Sequence, residues 1–149
     1  MKHSLVSRVR RFLVADSEGG ALVEMAVTLP LVMIIMTGIV SFSFALYQKL
    51  QLAEAVSNAG HYLAVARGDT NPCATAISSI YAAAPGLSSG AMNISLTQNG
   101  SALPNSCTGN TLTQYSTVSV LVTYPTSLSV YGMPYSSFNL SQQITEIVQ

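Results

Sequence analysis

The sequence predicts an α+β fold. A long N-terminal helix crosses a membrane, continues outside it, and packs on a small antiparallel β-sheet beside a short second helix. Three observations lead there. Residues 25–47 carry no charge, apolar residues then recur at three- and four-residue steps as far as Ala66, and beyond residue 90 several segments alternate at period two. These spacings are the helical and strand periods respectively.

The span comes first. Met25 to Tyr47 is 23 residues long, roughly 34 Å as a helix at about 1.5 Å per residue, against a hydrocarbon core of about 30 Å. The apolar region of a cleaved secretory signal is about 7–15 residues, shorter than this one. The small residues of Ser43-Phe44-Ala45 keep that alternative open. Lys2, Arg8, Arg10 and Arg11 precede the first acid, Asp16. This basic cluster places the N-terminus in the cytoplasm and the C-terminal hundred residues outside. Residues 1–19 thus read as a short cytoplasmic leader, 20–47 as a transmembrane helix and 48–149 as an extracytoplasmic α+β domain. The arginines serve as a topology signal or as an anchor to acidic headgroups. Pro30 lacks an amide and frees the carbonyl of Ala26, so a kink or a melted turn is expected inside the span.

Past Tyr47 the helical pattern continues through Leu50, Leu52, Ala53, Val56, Ala59, Leu63 and Ala66. Ala53, Val56, Gly60 and Leu63 mark its apolar stripe. Gly68 after Arg67 is a helix stop with a cation in the last turn. Asn71-Pro72 opens a second helix, Cys73 to Ala84, closed by Pro85-Gly86. Asn93 to Thr97 reads as a strand running into the turn pair Asn99-Gly100. Ser116 to Tyr124 is the clearest strand, closed by Pro125. A last strand runs from about Phe138 to Val148, with Leu140, Ile144 and Val148 on one side. The stripe of the long helix is the natural lid for that sheet.

Charge narrows the function classes. Only 8% of residues are charged, against about a quarter in an ordinary soluble domain. No charge at all lies between Asp69 and Glu146, so a nucleic-acid face is excluded. From Asp69 to the end, 35 of 81 residues are Ser, Thr, Asn or Gln. A neutral surface of this kind suits tight packing between copies or contact with other surfaces, and it is also the habit of exported proteins. Cys73 and Cys107 both fall on the outer side, where an oxidising compartment favours their pairing, two buried thiols being the alternative. His3 and His61 are far apart, no metal-ligand spacing or phosphate loop is present, and no serine has an evident base. No catalytic residue, metal, cofactor or small-molecule substrate is expected.

Glu24 remains, a lone carboxylate opening the uncharged run. Gly19-Gly20-Ala21-Leu22-Val23-Glu24-Met25-Ala26-Val27-Thr28-Leu29-Pro30-Leu31 resembles the processing and transmembrane motif of TadE-like proteins, minor pilins or pseudopilins of the tight-adherence (Tad, or Flp) branch of type IV pili. The likeness covers roughly the first 68 residues well and the rest faintly. It implies a pilin-like fold and removal of the leader by a prepilin peptidase. The cut falls between Gly19 and Gly20, making Glu24 the fifth mature residue, or after Gly20, making it the fourth. Glu24 would then meet the N-terminal amine of a neighbouring subunit as a register device. The alternative is an interfacial glutamate solvated among headgroups. Met25 stands where major pilins of this branch carry tyrosine, which argues for a minor component.

The implied partners are the inner membrane, the prepilin peptidase, other minor pilins, the major pilin, and the assembly platform with its ATPase. The implied location is the bacterial inner membrane, with the C-terminal domain periplasmic or carried into the pilus for surface adherence. A competing function class is an unprocessed, membrane-anchored binding or adhesin module.

Overall fold

The structure, a computed structural model, describes residues 16–130 and 133–149. The basic leader residues Lys2, Arg8, Arg10 and Arg11, and His3 with them, lie outside the described residues. Two compact units are distinguished, the first ending at Val40 and the second comprising Ser41–Gln149.

Helix α1 runs Asp16–Val65 and includes Pro30. Its backbone stays helical on both sides of the proline, so the melted turn expected there does not form. From Gly20 to Met36 every residue is exposed, and only Thr37 and Gly38 are half-buried before Val40. Leucine, valine, isoleucine and methionine thus face outward all round. A helix apolar on every side belongs inside a large core or in lipid, and among the described residues one helix, this one, is long and apolar enough to cross a membrane. The hydroxyls along it agree. Thr37 Oγ1 donates to the carbonyls of Met33 (2.9 Å) and Ile34 (3.0 Å), so it needs no water.

In the second unit the same helix has two faces. Leu52, Ala55, Val56, Ala59 and Leu63 are buried and share one core with Leu96, Val118, Val120, Val122 and Leu140 of the sheet and with Val148 just after it. Each such leucine or valine contributes about 1.5–3 kcal/mol by leaving water. The expected stripe is buried at Val56, Gly60 and Leu63, and Leu52, Ala55 and Ala59 widen it. Leu50 is exposed and Ala53 half-buried, while Leu52 and Ala55 lie inward. Gly60 permits the closest approach, because a Cβ built there would lie 2.4 Å from Ile144 Cγ2.

After α1 the chain turns at Gly68, whose φ of +95° suits a residue without Cβ. Asn71 caps α2 (Pro72–Ala83), its side chain accepting from Ala74 N–H at 3.3 Å. A short 3₁₀ turn at Ser89–Ala91 precedes β1 (Asn93–Gln98) and β2 (Ser101–Leu103). Between these strands Asn99 and Gly100 both take positive φ, +50° and +82°, as a type I′ hairpin turn requires. A second 3₁₀ turn, Gly109–Thr111, leads to β3 (Thr117–Val130) and β4 (Met133–Ile147).

The sheet order is β2-β1-β3-β4, with every pair antiparallel. Two expectations are corrected here. Pro125 does not end β3, which continues for five residues beyond it. β1 starts at Asn93, opposite Thr123, so at Pro125 one side of β3 is a free edge, where a missing amide costs no ladder bond. Likewise β4 starts at Met133 and not near Phe138, since it pairs with this extension from Pro125↔Asn139 to Val130↔Met133.

Candidate functional site

Gly19, Gly20, Glu24 and Pro30 all fall on the first part of α1. Gly20 sits in open space, with nothing within 4 Å of where a Cβ would stand. Glu24 follows one helical turn later, so the two share a helix face and differ by roughly 6 Å in height. Glu24 is exposed, and among the described residues it has no ion-pair partner. Glu24 is the ninth residue of α1, past the free amides of its first turn, and an exposed carboxylate there can accept an ammonium group brought to it. If the chain began at Gly20, its α-amine would stand one turn before Glu24, on the same face.

Cys73 and Cys107 belong to the second unit and form a disulfide, with Cα atoms 5.4 Å apart. The bond joins the first turn of α2 to the segment before the second 3₁₀ turn and closes a loop across 34 positions. Asn71 reinforces the same junction. Besides capping α2, its Oδ1 accepts from Cys107 N–H at 3.1 Å and its Nδ2 donates to Ser106 Oγ at 3.0 Å. Sequence reasoning saw Asn71 only as a helix opener; its second role depends on a loop 35 residues away in the chain. Nearby, Gly109 N–H donates to Asp69 O at 2.8 Å. A Cβ at Gly109 would lie 2.5 Å from that carbonyl, so glycine is required by the close approach.

His61 and Tyr62 each meet an acid in this unit. His61 Nδ1 lies 3.2 Å from Glu146 Oε1, tying α1 to β4. The Tyr62 hydroxyl donates to Asp69 Oδ2 at 2.6 Å, and that bond, with burial adding to it, raises the phenol above its ordinary value. Gln48, buried on α1, accepts from Thr126 Oγ1 of β3 at 2.6 Å. Nothing in the sequence flagged this pair, because a glutamine next to a lysine at the end of an apolar run reads as solvated. Among the described residues no group of three or more His, Cys, Asp or Glu side chains is placed to hold a metal ion.

Comparison with known proteins bears on the first stretch. Residues 19–61 match the family model of TadE-like proteins, so this part of the chain is similar to that family. The match takes in Gly19, Gly20, Glu24 and Pro30, together with the buried face of α1 as far as Ala59 and Gly60. No match was found among curated proteins or among solved structures.

Proposed function

We propose that the protein is a minor pilin or pseudopilin of a Tad (Flp) type IV pilus, processed by a prepilin peptidase and acting in pilus assembly and surface adherence. The observation that carries this reading is the TadE-like match over residues 19–61, which begins at the glycine proposed as the cut site. In this account the chain is inserted in the bacterial inner membrane with its leader inside and residues 48–149 outside, as the basic leader favours. It works by assembly and not by catalysis. The peptidase opens the Gly19–Gly20 bond, and α1 then starts with an ammonium group at Gly20. The Glu24 carboxylate takes the amine of an adjoining pilin, fixing the height at which neighbouring helices meet. Such a pair adds little net stability in lipid, but a missing partner leaves a charge uncompensated, which is what enforces register. Other minor pilins, the major pilin, the assembly platform and its ATPase are the partners.

The test is Glu24→Ala in the producing cell. The variant should still reach the membrane and lose its leader, yet pili should be lost. Normal piliation with Glu24→Ala would sink the registration role.

A further inference from the structure

The sheet keeps one long edge unpaired, and the direction of its main-chain groups can be read residue by residue. β4 and β2 are the two outer strands. Val148 N–H donates to Ser116 O at 2.9 Å and Val148 O accepts from Tyr115 N–H at 2.8 Å, so the main chain of Val148 faces the β3 side. Thr117 faces the other way. Its carbonyl accepts from Asn99 N–H at 2.8 Å, and its own N–H donates to Asn99 Oδ1 at 2.9 Å. Opposite residues of an antiparallel pair either both turn inward or both turn away, so Ile147, the partner of Thr117, turns away. The register then holds without a shift from Thr117↔Ile147 to Leu128↔Ser136. Asn139, Ser141, Gln143, Thr145 and Ile147 therefore direct their amides and carbonyls outward, and among the described residues nothing bonds to those groups.

Native edges are ordinarily shielded by proline, lysine, a bulge or a covering segment. None of these outward residues is charged, none is proline, and all are exposed. The other edge is short. β2 closes a two-residue hairpin in which Gln98 stands opposite Ser101, the pair that bonds across such a turn. Ala102 therefore turns its main chain outward, and it too is exposed. The two edges run in opposite directions, since β2, β1, β3 and β4 alternate across the sheet. β4 of one copy and β2 of a copy set beside it in the same orientation thus form an antiparallel pair. Ala102 and the outward residues of β4 also carry their side chains on the same face, away from the core, as neighbours in a continuous sheet must.

We infer that the β4 edge receives β2 of a second copy of this chain, extending the sheet from one domain to the next. Glu146 is the one charge on the four strands, so the copies meet without like-charge repulsion. Pairing β4 with β4 of the second copy uses more amides but sets the Ser41–Val65 parts of α1 head to tail. This follows because α1 and β4 run the same way: Gln48 meets Thr126, the partner of Phe138, and farther on Gly60 abuts Ile144 and His61 meets Glu146. The choice of β2 rests on the assembly reading, in which neighbouring helices run in one direction. Ala102 offers only its own amide and carbonyl, and Pro104 has no amide to add. One contact is therefore weak and acts in number. Each added copy leaves one β4 edge and one β2 edge free, so the contact repeats.

Both native cysteines are held in the disulfide, so an introduced thiol is the free one. In membranes of the producing cell, a full chain carrying Ala102→Cys is co-produced with one carrying Ser141→Cys, Gln143→Cys or Thr145→Cys, and a short bismaleimide is added. The expected result is a dimer that needs both variants and vanishes when Ser78→Cys, exposed on α2, replaces Ala102→Cys. Gln143→Pro, added to the Ser141→Cys or Thr145→Cys chain, removes an amide that the fold leaves unused and should abolish the dimer. Gln143→Lys should do the same by placing a charge on the edge. Absence of the dimer, or its survival through both changes at position 143, would overturn the edge contact. Cross-linking between two Gln143→Cys copies with none from position 102 would overturn it in favour of β4–β4 pairing. Loss of the dimer with the leader cut and pili normal strikes the edge contact alone, whereas a dimer formed by chains still carrying residues 1–19 strikes the processing reading alone.

Discussion

The two parts of α1 are one helix made for two solvents. Up to Val40 its apolar residues point in every direction and none is in the core. From Ser41 on, apolar and polar residues separate, and Leu52, Val56 and Leu63 are fully buried. Continuous helical geometry therefore says little about what holds each part. In the first, backbone hydrogen bonds are closed within the helix and the apolar side chains are compatible with lipid. In the second, tertiary packing supplies the stability, as it does for most helices of globular domains.

That contrast can be attacked from its strongest point downward. Breaking the disulfide should act on the second unit alone. Closing a loop across 34 positions constrains the unfolded chain by about 4 kcal/mol. Cys73→Ser with Cys107→Ser should lower the denaturant midpoint of the domain accordingly and leave the helicity of the part before Ser41 unchanged in detergent. Leu52→Ala should cost about 3 kcal/mol through lost burial and the cavity left behind. Leu31→Ala, on the exposed part, should leave domain unfolding unaltered; equal losses from the two substitutions would abolish the distinction.

Gly60→Ala comes next. The added methyl meets Ile144 Cγ2, and overpacking of this sort costs about 1–3 kcal/mol, offset by the roughly 1 kcal/mol that alanine gains over glycine within a helix. The double variant with Ile144→Ala should recover part of the loss, measured as a non-additive cycle in urea unfolding.

The smallest effect is alkaline. Since the Tyr62 phenol is held above its ordinary value by Asp69, the folded state keeps the proton that the unfolded chain gives up. The contribution is fully present below the ordinary tyrosine value of about 10 and is lost as pH rises through the raised one. Tyr62→Phe should flatten that alkaline fall in thermal stability.

What was readable in advance follows from the range of the forces involved. The span, the α2 cap at Asn71-Pro72 and the Asn99-Gly100 turn are local, decided by a few adjacent residues, and all three were found. The buried face of α1 was legible at Val56, Gly60 and Leu63, but its edges were not, because Leu50 and Ala53 fit a helical repeat as well as Leu52 and Ala55 do; only the sheet decides which of these faces inward. Extension of β3 through Pro125 could not be read, since tolerance of proline depends on β1 stopping opposite Thr123. β2 is three residues long, too short for any periodicity. Gly19, Gly20 and Glu24 were singled out by spacing and resemblance alone; Gly20 and Glu24 are exposed, and the packing of one chain bears no trace of the roles proposed for them.

The account turns on the creation of a new N-terminus at Gly20, and the mass of the protein extracted from membranes of cells with an active prepilin peptidase tests it most directly. The account predicts a chain starting at Gly20 and lacking residues 1–19. A chain still starting at Met1 would contradict it.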